Sequence, residues 1–195
     1  MAAIRQAKKL LRLELKKRLQ ALSDADKTRQ ADFITNKLIN HPIYRQSKRI
    51  SVYLSMPEEV GTDQILRHIF ANNKTCFIPQ YIGPRMNMLK LNSMEDFETL
   101  PKTKWNIKQP AEGDDREEAL STGGLDLIII PGLGFSRSGD RLGRGMGYYD
   151  SYQRRCTEHT SGKPHTIALA FKEQMCDSIP TTDDDITIDH VLFGE

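Results

Sequence analysis

The chain has 195 residues, with 28 Lys and Arg against 26 Asp and Glu, a formal net charge of +2. That length suits one well-buried core, so a single domain over residues 1–195 is expected, and the weak net charge argues against a dedicated nucleic-acid binder. No apolar run reaches the ~20 residues a membrane span needs. The three cysteines, Cys76, Cys156 and Cys176, match no zinc spacing, and nothing resembles a secretory signal, which points to free thiols in a cytoplasmic protein.

Residues 2–22 place Leu11, Leu15, Leu19 and Leu22 on one helical stripe. Lys8 and Arg12, four apart, project from one face. A solvated cationic face and a transit peptide are both open readings there, the second weakened by Glu14 and the scarcity of serine. Ser23 is placed to cap a second helix, with Asp24 and Asp26 in its first turn and Ile34, Leu38 and Ile39 on its buried side. Residues 49–55 alternate as a strand, and Met56-Pro-Glu-Glu59 follows as a loop at its carboxyl end, where open α/β sheets gather ligands. Glu58 and Glu59 read as solvated acids or as a ligand contact. Thr62 is expected to cap a helix over 63–71, with Ile65, Leu66, Ile69 and Phe70 facing inward. Residues 74–79 predict a strand ended by Pro79. Tyr81 lies just beyond it, either exposed or stacked on an aromatic ligand. A strand over 86–91, a helical turn over 96–100 and a loop over 101–124 come next. Trp105, the one tryptophan, is either a core plug or a ligand wall.

Residues 125–130, Leu-Asp-Leu-Ile-Ile-Ile, read as a short strand buried on both faces. It runs into Pro131-Gly-Leu-Gly-Phe-Ser-Arg-Ser-Gly-Asp-Arg-Leu-Gly-Arg-Gly-Met-Gly-Tyr-Tyr-Asp150. Gly132, Gly134, Gly139, Gly143, Gly145 and Gly147 permit positive φ or close backbone approach. Successive amides of such a loop, ahead of a helix start, make an anion-binding concavity. Arg141 and Arg144 supply forks suited to phosphate, and Asp150 a carboxylate for a hard cation. The loop is neither a P-loop nor a dinucleotide fingerprint. A flexible connection or an RNA-tolerant basic loop is the plain alternative. A helix from Tyr148 to Arg155, a buried strand over 165–171 and a strand over 186–193 complete the chain. The Asp183–Asp185 run reads as a solvated turn. Alternating strands and helices predict an α/β fold with a largely parallel sheet between helices.

The run from Pro131 to Asp150 closely resembles the signature of 5-formyltetrahydrofolate cyclo-ligase. Similarity extends to the basic first helix, Tyr53-Leu-Ser-Met56, Phe77-Ile-Pro79 and residues 116–126, and is nearest to the animal type. The resemblance implies a three-layer α/β/α sandwich of Rossmann-like topology. It implies ATP-dependent cyclisation of 5-formyltetrahydrofolate to 5,10-methenyltetrahydrofolate, with ATP as co-substrate, Mg²⁺ as cofactor, and small-molecule partners only. No nucleic acid or membrane partner is implied, and a monomer is expected. ATP contacts are implied for Lys8, Arg12, Arg141, Leu142, Gly143, Arg144, Gly145, Met146, Gly147, Tyr148 and Tyr149. Folate contacts are implied for Leu54, Glu59, Tyr81, Trp105 and the stretch from Arg144 to Tyr148. Arg144 and Tyr148 would be catalytic, with Asp150 and Asp185 on the metal. Two positions depart from the family pattern. Ser136 stands where an aspartate usually follows Gly-Phe, and Met146 where the animal form often has lysine. A folate- or nucleotide-binding protein without turnover is the rival reading.

Overall fold

The computed structural model describes residues 2–103 and 106–195. Three helices lead: α1 (Ala2–Gln20), α2 (Asp24–Ile39) and α3 (Pro42–Gln46). Leu15 and Leu19 are fully buried and Leu11 and Leu22 pack beside them, so the leucine stripe is the side by which α1 docks. Ser23 caps α2 by accepting the Asp26 amide at 3.1 Å. Strand β1 (Arg49–Val52), helix α4 (Asp63–Ala71), strands β2 (Thr75–Ile82) and β3 (Arg85–Leu91), and helix α5 (Met94–Thr99) follow. The second half carries β4 (Leu127–Ile130), β5 (Gly134–Ser136), β6 (Arg141–Leu142), α6 (Tyr148–Glu158), β7 (His165–Ala170), β8 (Met175–Cys176) and β9 (His190–Phe193).

Six strands form one sheet in the order β3-β2-β1-β4-β7-β9, all parallel except the edge strand β3. All four residues of β4 are buried, as a central strand covered on both faces requires. Leu127 and Ile129 join the core beneath α1, α2 and α4, whereas Ile128 and Ile130 join the core beneath α6. This period of two divides the protein into three layers, helices on either side of a mostly parallel sheet.

Several local expectations give way to tertiary context. Strand β2 passes through Pro79 to Ile82 because its pairing with β1 ends at Ser51↔Phe77, and a proline is tolerated where one edge is open. The last strand begins at His190, not 186. The Asp189 carboxylate accepts the Thr166 amide at 2.8 Å, taking the place of a ladder carbonyl, and pairing starts only at Ile167↔His190. Thr62 precedes α4 but does not cap it: with φ −112° and ψ 0° its hydroxyl turns away and donates to the Tyr53 carbonyl at 2.8 Å. The glycine-rich stretch is not all loop, since β5 and β6 pair antiparallel inside it and β8 adds to β5 in parallel.

Candidate active site

The strand order reverses between β1 and β4. From β1 the chain goes outward to β2 and β3, and from β4 it goes the other way to β7 and β9. The loops leaving these two neighbours therefore diverge and open a crevice at their carboxyl ends, the usual ligand position in such sheets. A cavity of about 830 Å³ lies there. It brings together Lys8 and Arg12 from α1, the loop after β1, the glycine-rich loop after β4, the start of α6, and Asp185.

On one side charge is concentrated. Lys8 Nζ donates to Asp185 at 2.7 and 2.5 Å. Burial alone would raise the Asp185 carboxyl, yet the Lys8 and Thr182 hydrogen bonds hold it below its ordinary value. Arg12 Nε donates to the Gly143 carbonyl at 2.8 Å and so ties α1 to the loop. Arg141 differs from the open phosphate fork expected of it. Its guanidinium is buried, donating to Asp150 Oδ2 at 2.7 Å and to the Pro131 carbonyl at 3.3 Å. Asp150 Oδ1 accepts the Ile186 amide at 3.1 Å, which brings the two acids, Asp150 and Asp185, to the same stretch of chain.

Only three of the six loop glycines, Gly139, Gly145 and Gly147, have positive φ. Gly134 serves another purpose: a Cβ there would stand 2.5 Å from Leu15 Cδ1, so its smallness lets α1 close onto the loop. Gly147, with φ +68°, occupies the N-cap of α6, whose first turn lines the cavity.

Across the cavity lie Leu54, Glu59, Tyr81 and Tyr148. Glu59 is buried, its side chain 7% exposed, and accepts the Met56 amide at 3.0 Å. Burial raises its pKa, opposed by that amide and by Arg144. Tyr81 lies within β2, not beyond it, and burial pushes its phenol up to about 12. Its ring meets that of Tyr148 with centroids 4.9 Å apart, and Tyr148 Oη donates to the Gly83 carbonyl at 2.7 Å. Leu142, Gly143, Gly145, Met146 and Tyr149 complete the loop wall, while Trp105 falls outside the described residues. Thr103, Ile107, Lys108 and Gln109 also line the cavity, and sequence reasoning did not find them. Gln109 is held in place by a two-way amide clasp on the Tyr81 backbone, at 3.3 and 3.2 Å. No local pattern marks a loop glutamine for that contact.

Two carboxylates are the donor set that Mg²⁺ uses when substrate phosphates and water complete its shell. Among the described residues no group of three or more His, Cys, Asp or Glu forms a self-sufficient cage. Asp150 and Asp185 therefore suit a cation that arrives with a nucleotide.

The model of the 5-formyltetrahydrofolate cyclo-ligase family matches residues 4–194. The chain belongs to that family. It is 55% identical over 194 residues to the 5-formyltetrahydrofolate cyclo-ligase of Mus musculus, covering 98% of this chain and 96% of the mouse one. It is 35% identical over 196 residues to the probable 5-formyltetrahydrofolate cyclo-ligase of Caenorhabditis elegans, covering 99% and 95%. Among solved structures, the NMR structure of Aquifex aeolicus 5,10-methenyltetrahydrofolate synthetase superposes with a TM-score of 0.77 at 26% identity, over 95% of this chain and 89% of that one. Both departures from the cyclo-ligase pattern have a structural account. Ser136 Oγ donates to Asp140 Oδ2 at 2.8 Å and accepts the Asp140 amide at 3.0 Å, so the turn has its carboxylate at 140. Met146 is 67% exposed at the cavity wall and buries no polar group.

Proposed function

We propose that this cyclo-ligase family member catalyses the ATP- and Mg²⁺-dependent conversion of 5-formyltetrahydrofolate to 5,10-methenyltetrahydrofolate, with release of ADP and phosphate. The observation that carries the reading is a single cavity in which a cationic, glycine-rich wall faces a buried glutamate and two tyrosines. One wall suits polyphosphate and the other a flat, N–H-bearing ring.

A formamide oxygen is a poor leaving group and must be activated. The γ-phosphoryl group is transferred to that oxygen, N10 attacks the formyl carbon, and the C–O bond breaks as phosphate departs and N10 loses its proton. No protein nucleophile is required. The chain's part is positioning and charge neutralisation. Lys8 and Arg12 hold phosphate oxygens, and the amides from Gly143 to Gly147 and the start of α6 receive the rest. Arg141 fixes the Asp150 carboxylate, and Lys8 fixes Asp185. These two acids would hold Mg²⁺, which supplies neutralisation of the phosphate charge. Arg144 sits between the walls, placed to balance charge on the transferred group. Tyr148, hydrogen-bonded to Gly83 and against Tyr81, orders the folate wall. Glu59 accepts pterin N–H groups. Free thiols at Cys76, Cys156 and Cys176 support a cytoplasmic setting, and the protein is proposed to act as a monomer.

Phosphate release from MgATP tests the reading. It is expected to depend on added 5-formyltetrahydrofolate and to fall at least a hundredfold in Asp150→Ala, about the loss seen when one positioned electrostatic group is removed. Release that ignores the folate would contradict it.

A further inference from the structure

Arg144 is bound differently from the more buried arginines Arg116 and Arg141. Its Nη1 and Nη2 donate to Glu58 Oε2 at 3.4 Å, while Nε and Nη2 donate to Glu59 Oε1 at 3.4 and 3.3 Å. The guanidinium is thus stretched between two carboxylates and close to neither. Arg116, by contrast, grips Asp96 bidentately at 2.6 and 2.7 Å, the geometry of a settled pair. Arg12 holds the Gly143 carbonyl before Arg144, the Ser151 amide holds the Gly147 carbonyl after it, and residues 144–147 are exposed. Gly143 and Gly145 flank the arginine without side chains, and Gly145 and Gly147, at φ +111° and +68°, carry the backbone away from it in the left-handed region.

The two acids are unequal. Glu58 is 30% exposed and keeps water for solvation, whereas Glu59 is 7% exposed and has Arg144 as its counter-charge. Among the described residues, the other groups electrostatically linked to Glu59 are Glu58 and the phenols of Tyr53, Tyr81 and Tyr149. A buried carboxylate that loses its counter-cation needs other donors.

We propose that Arg144 is one cation shared by two sites, so that the nucleotide and the folate bind with positive linkage through the Arg144–Glu59 contact, with Glu58 as the positioning residue that holds the fork open. This rests on the function proposed above. Phosphate draws Arg144 off Glu59, and Glu59 is left to accept N–H donors from the pterin ring. Either ligand alone must break the fork and leave one partner uncompensated. The second ligand finds the fork already broken, and its affinity rises by the same factor in either order.

The test is calorimetric binding of 5-formyltetrahydrofolate to the unmodified chain, with and without the magnesium complex of a non-hydrolysable β,γ-imido ATP analogue. The analogue is expected to tighten folate binding about fivefold or more. Arg144→Gln is expected to abolish the effect, and Glu58→Gln, an exposed change that keeps the fold, to reduce it. Both ligands binding with no mutual effect would overturn the linkage and leave the functional reading standing. A linkage unchanged in both variants would overturn it as well, because the nucleotide would then act by another route. Failure of either ligand to bind would sink linkage and function together.

Discussion

Lys8 and Asp185, 177 positions apart in sequence, meet as an ion pair at 2.5 Å on the cavity wall. The pair closes the two ends of the chain over the crevice between β1 and β4. In the function proposed above, it sets the cation assigned to phosphate beside the acid assigned to the metal.

Lys8→Met separates these roles. The side chains are only 15% and 19% exposed, so removing the lysine leaves a largely buried carboxylate without its counter-charge and should lower stability by about 1–3 kcal/mol. The KM for ATP should rise about tenfold, the worth of one charge-assisted contact, while the KM for folate stays put. Steady-state kinetics with each substrate varied in turn checks the split.

Glu59→Gln should uncouple stability from binding. Burial raises the Glu59 pKa, so the folded chain binds this proton more tightly than the unfolded chain does. The charged form therefore weighs on stability once pH rises above the ordinary value of 4.5, and acid relieves it. The neutral amide should raise the Tm of the ligand-free protein at pH 7 and weaken folate binding about tenfold or more. Thermal melts and folate titration on the same sample read both.

The Arg116–Asp96 pair should contribute to acid sensitivity. Hydrogen bonds from Arg116 hold the Asp96 carboxyl below its ordinary value of 3.8. Here the unfolded chain takes up the proton first, so the contribution is complete above about pH 4 and vanishes as pH falls through the folded value. Asp96→Asn should lower stability by about 1.5–3 kcal/mol at pH 7 and by less at pH 3. Denaturant unfolding at the two pH values is the measurement.

Ser136→Asp restores the residue that the cyclo-ligase pattern favours, and it should do harm. Ser136 Oγ lies 2.8 Å from Asp140 Oδ2, so a carboxylate at 136 would face one already present. A loss of roughly 1–3 kcal/mol is expected, recovered when Asp140→Asn is added. A double-mutant cycle by thermal melting decides it.

Periodicity and turn chemistry made most of the architecture legible. The leucine stripe of α1, the Ser23 cap and the all-apolar β4 each follow from local rules that tertiary packing reinforces. The sites of failure are those where a distant group takes over a local role. Pro79 ends no strand because β2 has left β1 there while staying paired with β3, and Asp189 replaces a carbonyl in the ladder. The glycine-rich loop announced a cavity, but the engagement of Arg141 with Asp150 and of Arg144 with two glutamates depends on side chains meeting across the fold. Gln109 reaches Tyr81 from 28 positions away, and no short-range pattern encodes that.

The most direct measurement of the central claim is absorbance of methenyltetrahydrofolate on mixing the protein with (6S)-5-formyltetrahydrofolate, with and without MgATP. The account predicts a rise that requires MgATP and matches ADP formed mole for mole. Folded protein that binds both ligands and yields no methenyltetrahydrofolate would contradict it.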